Sequence, residues 1–275
     1  MARSLDKEWN RLIKQEEKGL KKLERDTENQ ILSKIDEMKQ GVLNKIPGKL
    51  IVTLNEGFYK AFELIFSKGN GVIEKTFRQE ELTLDYTIND FRVSQRPNSK
   101  SLKQMEKGMK RGNKFNTCIT AVEGIGLGVV GIGLPDIPLF LGILLKGIYE
   151  TSASYGYIYK EEKEQILILK MIAAALSESD KKREADIEVE KWISQMDDKN
   201  VVFNKDAEIH KASDALSQAL LLSKFIQGFF VIGMAGGLMN PFIYRKVMNY
   251  VIQKYKKRYI NEKRMSIKNE RKSIL

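Results

Sequence analysis

The residues of this chain that could do chemistry are few, and counting them narrows the field. There is one histidine, His210, and one cysteine, Cys118. Nucleophile–base pairs and most transition-metal sites draw on several such residues, so the commoner constellations are excluded. Cys118 has no second cysteine with which to form an internal disulfide, which fits a reducing cytoplasm. His210, in the polar stretch AEIHKASD, is expected at the surface rather than as a base. Two carboxylates, Glu123 and Asp136, stand in apolar surroundings, where desolvation raises a carboxyl pKa and makes acid–base work conceivable. The plainer roles are a turn or helix cap for Asp136, in Pro135-Asp136-Ile137-Pro138, and an ion pair of Glu123 with Lys114 or Arg111. Gly126-x-Gly128-x-x-Gly131 spells the dinucleotide fingerprint, but Pro135 and Pro138 fall where the phosphate-binding helix should run. No GxSxG elbow, HExxH motif or P-loop occurs. The expectation is a non-enzymatic protein with no cofactor and no metal. An unrecognised hydrolase using Asp136 and Glu123 is the catalytic alternative.

Whatever positions these residues is helical. From Leu5 to Val42 apolar residues recur every three or four positions with dense charge between them, the pattern of an amphipathic helix with one narrow stripe, which Pro47-Gly48 ends. That helix either packs on the body or forms a coiled-coil arm to another chain. Leu50, Leu54, Phe58, Ala61, Phe62, Ile65 and Phe66 repeat on the face of a second helix, stopped at Gly69-Asn70-Gly71. Residues 72–92 read as helix with a break, 94–99 as a loop, and Ser101 as the cap of the next helix. Residues 150–176 read as one amphipathic helix and 177–200 as a polar helix and loop.

Two segments stand apart. Residues 115–149, FNTCITAVEGIGLGVVGIGLPDIPLFLGILLKGIY, and 216–243, LSQALLLSKFIQGFFVIGMAGGLMNPFI, are apolar and rich in glycine. Glycine inside a helix costs about 1 kcal/mol relative to alanine. So many of them imply close helix–helix approach through small faces, with Gly124/Gly128 and Gly233/Gly237 as the packing pairs. Each half of the first segment is too short to span a bilayer, which takes about 20 apolar residues. A re-entrant hairpin and a soluble core both remain open.

The net charge of +11 is concentrated at the C-terminus: from Asn240 onward eleven Lys and Arg face only Glu262 and Glu270. Asn240-Pro241 reads as an N-cap with proline at the first helical position. The helix that follows aligns Tyr244, Met248, Val251, Tyr255 and Tyr259, with Arg245, Lys246, Lys254, Lys256, Lys257 and Arg258 around them. That is the pattern of a helix lying on an anionic membrane, with core packing and a solvated basic face as the alternative. On the membrane reading, glutamine at Lys254, Lys256, Lys257 and Arg258 should weaken lipid binding and leave the melting temperature nearly unchanged. The chain shows no nucleic-acid-binding module, and nucleic acid is not an expected partner.

At GIGLGVVGIGLPDIPLFLGILLKGIYETSASYGY (residues 124–157) the sequence resembles the EcsC protein family, and the resemblance resumes at NPFIYRKVMNYVIQKYKKRYINEK. It covers roughly residues 50–264. It implies a bacterial protein of a family without an established activity, some of whose members are encoded beside an ABC transporter linked to secretion. The layout expected is a charged N-terminal helix over residues 1–48, an EcsC-like all-α domain over 49–265 and a basic tail over 266–275. The functional expectation is a membrane-associated accessory protein at the cytoplasmic face, with anionic lipid and an ABC transporter as candidate partners. A soluble helical lipid-binding or lipid-transfer protein is the alternative, with the glycine-rich helices lining an apolar cavity.

Overall fold

The computed structural model describes residues 2–28, 41, 46–69, 73–75, 77–112, 136–178, 180–226 and 241–274. Among them the regular elements are all helical, as the periodicity predicts. In chain order they are α1 (Ala2–Glu28), α2 (Gly48–Leu64), which runs into a π-helical turn at Ile65–Gly69, α3 (Gln79–Gln95), α4 (Ser99–Gly112), α5 (Asp136–Ser154), α6 (Glu162–Leu176), α7 (Lys182–Gln195), α8 (Lys205–Ile226) and α9 (Pro241–Ile274).

Local chemistry sets several of these boundaries. Pro47 precedes the first turn of α2, whose Leu54, Phe58, Ala61 and Phe62 are buried at helical spacing. Asn98, not Ser101, caps α4: its Oδ1 accepts from the backbone N–H groups of Lys100 and Ser101, both at 3.0 Å. The Ser101 hydroxyl instead donates to the Arg96 carbonyl, at 2.9 Å. Pro135-Asp136-Ile137-Pro138 marks a helix start, with Pro138 in the first turn of α5, where its missing N–H has no intrahelical partner to lose.

The single helix expected over residues 150–176 is two. Gly156 adopts φ +82°, and the chain turns between α5 and α6. Nor is α6 amphipathic: Ile166, Leu167, Ile168, Leu169, Met171 and Ile172 are all buried, because α7, α8 and α9 pack around it.

Side-chain pairings fix the helix directions. Gly147 of α5 lies against Tyr244 and Met248 of α9, and Tyr155 packs on Tyr259, so α5 and α9 run the same way. A β-carbon at Gly147 would sit 2.6 Å from the Tyr244 hydroxyl oxygen, so this glycine permits the close approach of the two helices. Glu164 at the start of α6 meets Tyr255 and Arg258, while Ala174 near its end and Tyr250 both contact Lys182; α6 therefore runs against α9. Lys205 reaches Gln165 and Lys170 reaches Glu208, so α8 runs with α6. Lys263 bonds Ser94 just before α4, and Lys256 pairs with Glu106 within it, so α4 also runs against α9. The C-termini of α4 and α8 and the N-termini of α5 and α9 consequently point toward one pole. Residues 113–135 and 227–240 join those ends. Cys118, Glu123 and the packing glycines Gly124, Gly128, Gly233 and Gly237 lie in these two segments, outside the described residues. Among the described residues no helix is long and apolar enough to cross a membrane.

Candidate functional site

The basic helix is where structure and sequence expectation part most clearly. Tyr244, Met248, Val251, Tyr255 and Tyr259 all point into the core, none more than 4% exposed. The cations beside them do not form a solvated face. Lys254, 1% exposed, places its ammonium 2.9 Å from Glu16, 2.8 Å from Asp186 and 2.6 Å from Glu190. Lys257 shares two of those carboxylates, Glu16 at 2.6 Å and Glu190 at 2.9 Å. Lys256 pairs with Glu8 at 3.0 Å and Glu106 at 2.7 Å. Arg258 bonds Glu164 at 2.8 Å and Glu262 at 3.0 Å, and lies 3.8 Å over the Tyr157 ring. Lys263 and Arg264 reach Asp90 and Asp6. Carboxylates from α1, α3, α4, α6 and α7 thus converge on the middle of one helix and pair with its cations from Lys254 to Arg264. The expectation that Lys254, Lys256, Lys257 and Arg258 meet lipid is corrected: a buried charge needs a close counter-charge, and here protein supplies it. Arg245 and Lys246, in the second turn of α9, are the two of the six that are exposed. Residues 161–214 carry more Asp and Glu than Lys and Arg, which is the sequence signal for part of this partnership.

Tyrosine hydroxyls complete the lattice as donors. Tyr255 donates to Glu164 at 2.7 Å, Tyr259 to Asp90 at 2.8 Å, Tyr250 to Asp186 at 2.7 Å, Tyr157 to Glu262 at 3.0 Å and Tyr159 to Glu74 at 2.8 Å. Burial, reinforced by these carboxylates, raises the pKa of each phenol above its ordinary value. They stay protonated, the reverse of what a phenolate nucleophile requires. Burial also raises the pKa of Glu164, against the pull of Arg258 and Tyr255. Asp186 goes the other way: burial would raise its pKa, but the charge and hydrogen bond of Lys254 and the bond from Tyr250 hold it below the ordinary value. Glu16, Asp186 and Glu190 bring carboxylate oxygens within 4.8 Å of one another, as a metal site would, but the Lys254 ammonium is the cation that sits among them.

The YGY turn at residues 155–157 locks the α5–α6 corner onto this lattice. Tyr155 packs on Tyr259, Tyr157 stacks on Tyr255 with ring centres 5.5 Å apart, and Gly156 faces the Tyr86 ring. Within α5, Lys146 and Glu150 form a buried i,i+4 pair at 2.5 Å. That pair lets an otherwise apolar helix carry two charges into the core.

His210 is exposed, as expected, and stacks on Tyr59 with ring centres 4.4 Å apart. Its Nε2 lies 3.7 Å from Asp206, and the Tyr59 hydroxyl donates to the same carboxylate at 2.5 Å. The bond to Asp206 raises the phenol pKa, so this pair too offers a protonated donor. A cleft of about 200 Å³ adjoins it, lined by Asn55, Glu56, Lys60 and Asp214 among others. Asp136 is the first residue of α5, and Glu123, the other carboxylate of the candidate pair, lies outside the described residues.

Fold and lattice together define an all-helical protein built around a charged helix whose central cations pair with carboxylates of the surrounding helices. The chain belongs to the EcsC protein family, whose sequence profile it matches over residues 8–260. The match takes in most of α1, which the motifs alone did not reach. The chain is similar to Protein EcsC of Bacillus subtilis (strain 168), 33% identical over 76 residues. That stretch is 27% of this chain and 32% of the Bacillus protein. No solved structure matches the chain.

Proposed function

We propose that this EcsC-family protein is a non-enzymatic accessory protein held at the cytoplasmic face of a bacterial membrane by one pole of its helical bundle, with an ABC transporter as its candidate partner. The observation that carries this reading is the convergence of the α4, α5, α8 and α9 ends on one pole. It brings together the attachment points of the two apolar, glycine-rich segments. Phe242, 66% exposed, and the exposed Arg245 and Lys246 stand at the start of α9, beside one of those attachment points. Apolar segments flanked by cations suit an anionic leaflet, where each lysine or arginine contributes about 1 kcal/mol. The lipid contact is thereby moved from the flank of α9 to its N-terminal end.

Flotation with vesicles tests it. Wild-type protein should bind phosphatidylglycerol-containing vesicles more tightly than pure phosphatidylcholine, and salt should weaken but not abolish the binding. Arg245→Gln with Lys246→Gln should lower partitioning roughly thirtyfold, from about 2 kcal/mol lost. Its melting temperature should match wild type, since both side chains are exposed. Equal binding of wild type and variant to both vesicle types would remove this pole from the membrane.

A further inference from the structure

The outer face of α3 has the opposite character to α9. Leu84, Ile88 and Phe91 are 60%, 41% and 63% exposed. Their spacing of four and three places them on one stripe of the helix. Charge along that stripe is divided by sign. Glu80, Glu81 and Asp85 occupy the N-terminal half, and Arg92 follows in the C-terminal half, with Arg96 and Lys100 just beyond; all are exposed. Arg78, just before the helix, pairs with Glu81 at 2.5 Å in the single chain, an exposed contact that a second copy's Arg96 would have to share, so Asp85 against Arg92 is the stronger of the two cross-pairs. Phe91 borders a cleft of about 370 Å³ between α3 and α4, which Arg92, Arg96 and Lys100 also line.

This arrangement is its own complement. If a second α3 is laid antiparallel across a twofold axis near Ile88, Leu84 of each helix meets Phe91 of the other. The flank carrying Glu81 and Asp85 then faces Arg92 and Arg96 of the second copy, and the reverse contact is identical. Symmetry of that kind is what a twofold interface demands, since each patch must recognise itself.

We infer that the outer face of α3 is a homodimer interface, with a second copy of this chain packed antiparallel through Leu84, Ile88 and Phe91 and held in register by Glu81 and Asp85 against Arg92 and Arg96. The inference is independent of the membrane reading, which concerns residues elsewhere in the molecule.

Charge-reversal variants of the full chain test both the contact and its direction. Sedimentation velocity at low salt should find wild type in a concentration-dependent monomer–dimer equilibrium. Arg92→Glu with Arg96→Glu makes both ends of the interface acidic, and Glu81→Lys with Asp85→Lys makes both basic. Each variant alone should dimerise at least roughly tenfold more weakly, whereas their equimolar mixture should recover the wild-type affinity as a heterodimer. All four residues are exposed, and unchanged melting temperatures check that both variants remain folded. A second readout works in membranes as well as in solution: with Cys118→Ser, Ile88→Cys should cross-link to itself readily, and Val202→Cys, at a position 93% exposed, should not. A wild type that stays monomeric to about 100 μM, variants that associate like wild type, or a mixture that recovers nothing would each overturn the interface.

Discussion

Lys254→Met asks how much the carboxylate lattice is worth. The substitution keeps most of the volume of a side chain only 1% exposed and removes the one charge shared by Glu16, Asp186 and Glu190. At about 3 Å, each pair attracts by roughly 5 kcal/mol at an effective dielectric constant of 20, but desolvation of the ammonium offsets much of that. Glu190, about a third exposed, is the most screened of the three. What the variant leaves behind dominates: three crowded carboxylates, with only Lys257 to serve Glu16 and Glu190. Breaking a buried pair in this way costs about 3–5 kcal/mol. In a domain of this size that corresponds to roughly 6–20 °C in melting temperature. Thermal and urea melts at pH 7 measure it. The pH dependence follows from Asp186. Its folded pKa is depressed, so its contribution is present above its unfolded pKa near 4 and is lost as pH falls through the lower folded value. In the variant the carboxylates repel one another and protonate more readily, so the deficit should narrow as pH drops from about 6 to 4. A Lys254→Met protein within 1 kcal/mol of wild type at pH 7, with no change in that gap on acidification, would refute the reasoning.

Two further perturbations probe the same region. Gly156→Ala forces a side chain into a left-handed backbone position and into the Tyr86 ring, and should cost roughly 2–5 kcal/mol by urea denaturation; alanine tolerated there would mean the α5–α6 corner relaxes freely. Lys182 has its amine pushed down to about 8 by burial, with the charges of Lys246 and Lys254 adding and Asp186 opposing. Its unfolded pKa is higher, so the penalty for burying the charged form is relieved as pH rises through about 8 to 10, and stability from this residue should rise over that window. Carbon-13 NMR of labelled lysines should find one titrating near 8, and Lys182→Met should remove it and flatten the stability profile.

The helical class was legible because apolar residues at three- and four-residue spacing report burial directly, as Leu54, Phe58 and Phe62 do. The helix start at Pro241 was legible for a similarly local reason, that proline fixes φ and carries no donor. What could not be read was the state of charge after folding. Lys254 and Arg245 look alike in sequence, yet one is enclosed by carboxylates from α1 and α7 and the other is exposed. The difference lies in partners about 70 and 240 positions away along the chain, beyond the reach of any local pattern. The residues 150–176 misled differently: Tyr155, Tyr157, Ile158 and Tyr159 surround Gly156 with side chains that read as helix, and hid the turn that one glycine makes. Gly147, which permits the close approach of α5 and α9, sits in LLKGIYE, outside the small-xxx-small pairs.

The placement of α9 also bears on how the protein is made. It follows, in chain order, every other helix that leans on it, and the Arg264–Asp6 bond joins residues 258 positions apart. On a ribosome adding about 5–20 residues each second, α1 emerges long before its counter-charges exist. Until α9 is released, the nascent chain presents Glu16, Glu164, Asp186 and Glu190 without the α9 cations they pair with. The α9 cation that bridges α1 and α7, Lys254, arrives last, so the lattice closes as a late event. A chain stalled before residue 254 would therefore lack the ammonium that joins α1 to α7, and could not close this lattice.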